Sequence, residues 1–370
     1  MDKDIIVPVY SATSRYAASF FGSMSIRPSR LPQDYNEANP TISQSLERFI
    51  SRSSQTTTLE AVISVLKWTQ LPGPVFLLGD REYVGSGSQF VVYKQSIAWP
   101  EFTGMSYRAV ATKQPKISLD PDNALNLAHP EVRGHLQNVL LEILALRNPR
   151  LRAHPNIANL EAWSFEPHAF HSSIYLVMEL ADYNLASYLE DKEMELLLSS
   201  KYWICYDIAA GLDTLHGCKL IHGDLKPGNI LLYRERGRLV AKLADFGMSV
   251  DGLASRETGA RLGGTFGWQA PEVEASKMLT WDELPLADNY SFGLVIWSVL
   301  LHAGKPPPFS EKESRQAIAK REIEDSRDVI KLKENSCLPQ AVFNLLNETK
   351  NRPLHLVELV ERGADVDETR

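Results

Sequence analysis

Three cysteines in 370 residues, Cys205, Cys218 and Cys337, are too few and too far apart for a disulfide framework, and without a CxxC pair they offer no zinc site. Buried thiols in a reducing compartment are the expectation, and with them an intracellular, cytoplasmic location. A basic excess is also missing: the net charge is −7 and the isoelectric point is near 5.8, which argues against a nucleic-acid partner. The strongest apolar run, Leu294 to Leu301, falls far short of the ~18 residues that cross a bilayer, so no membrane span is expected. At the N-terminus Ile5-Ile6-Val7 stops at Pro8, too short for a signal-peptide core. Residues 11–30 carry arginines and serines without an acid, as mitochondrial transit sequences do, but Asp2 and Asp4 precede them and a disordered leader is the better reading.

What is present is a hydrophobic content of 44%, enough for a sizeable core. Residues 1–58 are rich in Ser, Thr, Arg, Asn and Pro, with room for one short helix around Ser43–Ile50. Leu59 to Trp68 has helical or strand character, and Leu71-Pro72-Gly73-Pro74 then breaks the chain. That break sets the boundary of a largely disordered or weakly structured leader, residues 1–75, available to protein partners. From Val75 to Val110, β-branched and aromatic runs separated by glycines read as a small antiparallel sheet, and the mostly helical remainder makes the fold α+β. Near the end, Pro353-Leu354-His355-Leu356 and Gly363-Ala364-Asp365-Val366-Asp367 look like pieces of an ankyrin repeat, too close together for a whole one. Residues 354–362 are expected to form a last helix, with 363–370 as a tail.

Chemistry concentrates in His222-Gly223-Asp224-Leu225-Lys226-Pro227-Gly228-Asn229, followed by Asp245-Phe246-Gly247. A carboxylate at Asp224 can orient a hydroxyl nucleophile, Lys226 can neutralise a migrating phosphoryl group, and Asn229 and Asp245 offer oxygen ligands to Mg²⁺. Upstream, Val84-Gly85-Ser86-Gly87 lies between two strand-like runs, where glycines let backbone N–H groups approach phosphates. A helix is predicted over Glu131–Arg147 from Val132, Leu136, Val139, Leu140, Ile143 and Leu144 at helical spacing.

In this order the motifs resemble the eukaryotic protein kinases of serine/threonine type, in the variant that lacks arginine before the catalytic aspartate, and their wording is also similar to fungal kinase-type proteins. The resemblance covers residues 76–362 and implies a bilobal fold, with a small antiparallel β-sheet lobe carrying one main helix (76–181) and a larger helical lobe (182–362). It implies ATP and Mg²⁺ as cofactors and a protein serine or threonine as acceptor. Gly85 and Gly87 match the phosphate loop, Val92 would cover adenine, and Val84 would belong to the same cofactor-binding set. Val110-Ala111-Thr112-Lys113 matches the strand whose lysine binds phosphates, with Ala111 against adenine. Glu142 would pair with Lys113, and Leu146 would stack one turn on. Met178 would be the gatekeeper, Glu179 to Ala181 the hinge backbone, and Leu231 the floor under adenine. In Gly263-Gly264-Thr265-Phe266-Gly267-Trp268-Gln269-Ala270-Pro271-Glu272, Thr265 would bond Asp224 and Lys226, and Glu272 would pair with Arg352. Asp288 would anchor the catalytic loop. Two positions depart from the family: Phe90 replaces the third loop glycine, and Gly223 replaces the arginine that pairs with an activating phosphate. They keep open an alternative, a pseudokinase that binds ATP or proteins as a scaffold.

Overall fold

Alternation of inward and outward side chains organises the first lobe. The computed structural model describes residues 58–87, 89–101, 104–116, 130–167, 172–191, 196–252, 256–310, 312–326 and 337–361. The N-terminal leader before Thr58, Ser255 and residues 363–367 therefore lie outside the described residues. Strands β1 (Phe76–Ser86), β2 (Phe90–Glu101), β3 (Gly104–Pro115), β4 (Leu160–Pro167) and β5 (Ser172–Met178) form an antiparallel sheet in the order β1-β2-β3-β5-β4. On β5, Ile174, Leu176 and Met178 join the main core, while Val177 turns to the opposite face with Ile97, Val110 and Ala162. The register pairs Val92 and Leu176 with Lys113, and Met178 with Ala111. These residues therefore share the sheet face that looks into the interlobe cleft.

Helix α1 (Thr58–Trp68) precedes the sheet, and α2 (Pro130–Arg147) packs beneath it. The boundary expected at Leu71–Pro74 needs correction. Val62, Ile63, Val65, Leu66 and Leu71 are buried in the same core as α2, so residues 58–75 belong to the lobe. Pro72 and Gly73 end the helix; they do not end the packed unit.

The second lobe is built from α3 (Pro149–Arg152), α4 (Leu185–Glu190), α5 (Leu198–Gly217), α6 (Pro271–Glu274), α7 (Leu284–Trp297), α8 (Arg315–Asp325), α9 (Leu338–Leu345) and α10 (Leu356–Glu361). Short strands β7 (Leu220–Ile221) and β10 (Val250–Asp251) pair with each other, and β6 (Tyr183–Asn184), β8 (Ile230–Glu235) and β9 (Arg238–Leu243) form a second small sheet. Helix α7 continues through a π-helical turn to His302, and Leu284–His302 is the one helix among the described residues long and apolar enough to cross a membrane. Its side chains, Pro285 apart, are buried inside the lobe from Leu284 through Leu300, which accounts for their apolarity as core. Helix α10 docks on α5 through Asp213, whose carboxylate accepts the N–H groups of Leu356 and Val357 at 2.9–3.1 Å, satisfying donors left free at a helix start. Glu272 and Arg352 form a buried ion pair, with Arg352 also donating to the carbonyls of Leu286 and Asn347.

Candidate active site

A two-residue turn brings the two candidate metal ligands together. Hairpin β8–β9 turns at Arg236 and Gly237, both left-handed at φ 48° and 84°, as the twist of the flanking strands requires. Its register pairs Ile230 with Leu243, so Asn229 and Ala244 face each other just beyond the ladder, joined by an N–H···O bond of 3.0 Å. Asp245 follows in the left-handed region, and its Oδ1 lies 3.3 Å from Lys113 Nζ. The Lys113 charge, reinforced by its hydrogen bond and by His222 and Lys226, holds the Asp245 carboxyl below its usual range although burial opposes this. An ionised carboxylate beside an amide oxygen is a hard donor set. Two such donors suit Mg²⁺ that takes its remaining ligands from phosphate and water.

Lys113 comes from β3 and Glu142 from the buried face of α2, and the two form an ion pair inside the protein. Burial drives the Glu142 carboxyl up to about 7, opposed by the Lys113 charge. Burial alone would lower the Lys113 ammonium, but Asp245 and Glu142 together raise it. Lys113 is thus held as a cation between two acids.

The catalytic loop is suspended from α7. Asp288 accepts the backbone N–H groups of His222 and Gly223 at 2.6 and 2.9 Å and meets the His216 ring at 3.0 Å. Burial pushes its carboxyl up, yet His216, His222 and the Gly223 N–H outweigh this and hold it below the usual range. His222 Nε2 faces the Ala244 carbonyl at 3.1 Å while Nδ1 accepts the Asp224 N–H at 3.3 Å, contacts satisfied by the tautomer with its proton on Nε2. The ring packs 5.4 Å from that of Phe246, which is fully buried.

Asp224 is the meeting point of three elements. Lys226 Nζ donates to its Oδ2 at 2.7 Å, Asn229 Nδ2 donates to its backbone oxygen and Oδ2 at 2.8 and 3.1 Å, and the Thr265 hydroxyl donates to Oδ1 at 2.7 Å. Thr265 in turn accepts from Lys226. With three donors on one carboxylate, its orientation is set before any ligand arrives.

Above this cluster, Gly87 N–H bonds the Phe90 carbonyl at 3.0 Å, and a Cβ at Gly87 would sit 3.9 Å from Asp245 Oδ2. Phe90 turns inward, buried, with Lys113 Nζ 4.4 Å from its ring centre. The position of the missing third glycine is therefore a packed aromatic, a contact that spacing alone does not disclose. Val84 is exposed at the cleft mouth, Val92, Ala111 and Leu231 are half-buried, and Met178 is buried. The Glu179 N–H bonds Asn159, and its carboxylate takes the Asn159 N–H and Lys242 at 2.8 and 2.9 Å. The Glu179 N–H is thus engaged within the protein.

One functional residue was not legible in the sequence. Gln269 Nε2 donates to the carbonyls of Gly263 and Gly264, both at 3.1 Å, and the Gln269 carbonyl accepts from Arg315 at 3.2 Å. This fixes the backbone directly before Thr265. Gly264, at φ 116°, lies so close to the Gly223 carbonyl that a Cβ would come within 2.8 Å of it, and a Cβ on Gly223, at φ 76°, would stand 2.5 Å from the Met248 carbonyl. The only sequence signal for this was the Gly263-Gly264 pair.

The sequence profile of the protein kinase domain matches residues 105–358. The chain is 32% identical over 238 residues to serine/threonine/tyrosine-protein kinase HT1 of Arabidopsis thaliana, covering 63% of this chain and 52% of that protein. It is 29% identical over 230 residues to the cyclin-dependent kinase 4 homolog of Caenorhabditis elegans, covering 62% and 51%. A third relative, the megakaryocyte-associated tyrosine-protein kinase of Rattus norvegicus, is 31% identical over 153 residues, covering 40% of this chain and 31% of that one. The chain spans about half the length of the first two relatives. With the profile covering well over half of the residues, and the bilobal α+β fold beneath it, the chain belongs to the protein kinase family.

Proposed function

We propose that the protein transfers the γ-phosphoryl group of ATP to a serine or threonine hydroxyl of a protein substrate. The observation that carries this reading is the hydrogen-bonded triangle of Asp224, Lys226 and Thr265, which ties a lysine of the catalytic loop to a threonine of the segment that frames the acceptor. When bound, MgATP supplies the phosphoryl group and the cation that neutralises its charge. Asn229 and Asp245 would hold the cation, and Lys113, positioned by Glu142, would hold phosphate oxygens. Val84, Val92, Ala111, Met178 and Leu231 would enclose the base, with Gly85 and Gly87 above the phosphates. Asp224 orients the acceptor hydroxyl and receives its proton, while Lys226 offsets negative charge as the phosphoryl group moves.

The alternative, a scaffold that binds ATP or protein without transfer, is favoured by Phe90 lying over Lys113. Incubation with labelled ATP and Mg²⁺, wild type beside Asp245→Asn, followed by phosphoamino-acid analysis, separates the readings. Label on serine or threonine in the wild type alone supports transfer; label on tyrosine reassigns the acceptor. Nucleotide binding without label in either protein establishes the scaffold.

A further inference from the structure

Helix α2 carries Glu142 and is buried on more sides than a surface helix should be. From Val139 to Leu146 every residue is buried except Leu141, which is half-buried, so the C-terminal half of α2 has no solvent face. The sheet and the second lobe account for one side of it. The remaining cover is α1, which packs against α2 and contributes Val62 and Leu66 at 0% exposure and Ile63 and Val65 at 2%. These residues stand about one helical turn apart, as a docking stripe requires.

Polar contacts lock both ends of the arrangement. Arg147, the last residue of α2, donates from Nε and Nη2 to the Thr69 carbonyl at 3.1 and 2.9 Å, tying the end of α2 to the end of α1. The chain then runs along β4. The Trp163 N–H bonds the Pro72 carbonyl at 3.0 Å, the Val75 N–H bonds the Trp163 carbonyl at 2.9 Å, and Ser164 Oγ bonds the Val75 carbonyl at 2.6 Å. Gly73 lies against Trp163, where a Cβ would run into the Trp163 carbonyl and ring. Residues 58–75 thus form a strap from the outer face of α2 to the sheet, ahead of the 105–358 stretch that the kinase-domain profile matches.

We infer that this strap is a positioning element of the phosphoryl-transfer site: α1 and Arg147 hold α2 where Glu142 meets Lys113, a task that a helix packed on one side alone would leave to a partner. The inference rests on the kinase reading proposed above. Its physical basis is that transfer depends on the Lys113 ammonium to within about 1 Å, and that Glu142 reaches it only as far as α2 is held inward.

The test uses the full chain with Arg147→Ala, with Val62→Ala/Leu66→Ala together, and with the conservative Leu66→Met. Initial rates with MgATP and hydrogen exchange are measured on each. The expected result is a fall in kcat of about tenfold or more with a raised KM for ATP, faster exchange across 134–147, unchanged exchange in Leu284–His302, and recovery in Leu66→Met. If the double variant fails to fold, Arg147→Ala decides, since it removes hydrogen bonds without opening core volume around α1. Wild-type kinetics in Arg147→Ala with unchanged α2 exchange would overturn the strap. A wild-type chain that binds MgATP but transfers nothing would instead overturn the kinase reading, and exchange across α2 would still judge the strap.

Discussion

At the scale of single residues, the site is defined by charges whose partners face inward. Asp224 accepts from Lys226, Asn229 and Thr265, and Lys113 sits between Glu142 and Asp245, so the charge of each is held by polar partners around the cleft. Asp224→Asn and Lys113→Met should each lower phosphoryl transfer by about 10²–10⁴ while circular dichroism stays near wild type, with melting lowered only in Lys113→Met, which leaves the buried Glu142 carboxyl without its partner. Rates with labelled ATP check this, and equal activity in all three proteins would remove both assignments. Asp288 has the opposite balance of roles, because it holds the loop and faces no ligand. Its folded carboxyl is held below the ordinary value, so it stabilises the folded chain at neutral pH. That contribution fades as pH falls below ~4 and through the folded value. Asp288→Asn is expected to cost roughly 2–3 kcal/mol at pH 7, with the gap to wild type closing toward pH 3, as read from denaturant midpoints across that range.

Among elements, the segment from Met248 to Ala270 is expected to act without a phosphate. Gly223 supplies no guanidinium, and its φ of 76° with the Met248 carbonyl beside it leaves no room for one. Backbone contact between Gly223 and Gly264, together with the Gln269 bridge to Gly263 and Gly264, holds the segment. Of its hydroxyls, Ser249 is buried and Thr265 is engaged with Asp224, leaving Thr258 exposed among the described residues. Phosphatase treatment, Thr258→Ala and Ser255→Ala should therefore leave activity within about twofold, whereas Gln269→Ala should cost about tenfold in kcat through loss of alignment. Gly223→Arg should weaken the enzyme and confer no dependence on phosphate. Loss of most activity on phosphatase treatment would show that another cation, such as Arg256 or Arg261, performs the missing task.

For the whole molecule, stability comes from contacts that distant parts of the chain build together, and substrate choice is expected to do so as well. Glu272 and Arg352 are both buried, and Arg352 also lies 4.6 Å over the Tyr290 ring. Arg352→Ala would strand a buried carboxylate, with an expected loss of roughly 3–5 kcal/mol. Differential scanning calorimetry reads this, and an unchanged melting temperature would mean that the pair stabilises nothing. On the substrate side, Gly228 presents no carboxylate to an arginine, and Met248 extends its methyl to the backbone at Gly263, beside the acceptor-framing segment. A peptide library should thus show serine favoured over threonine without an upstream arginine requirement. A profile dominated by arginine or threonine would reverse that reading.

Much of this site can be read from the linear chain because phosphoryl transfer needs particular groups at short range. Asp224, Lys226 and Asn229 fall within one loop, and one hairpin separates them from Asp245. A two-residue turn with a fixed register is all that is needed to bring Asn229 and Asp245 side by side. Likewise Ala111 and Lys113 share a strand face by a period of two, and their opposition to Met178 and Leu176 follows once β5 pairs with β3. Three features were decided only in the folded structure: the inward turn of Phe90 over Lys113, the Gln269 bridge, and the inclusion of residues 58–75 in the lobe. Each depends on a contact with a distant part of the chain, whose direction sequence spacing does not encode. Proline and glycine at Pro72 and Gly73 signal where a helix stops, a local property of the backbone. Whether that helix is then free or packed depends on apolar surface left uncovered on α2, and that exists only once the sheet and α2 have come together.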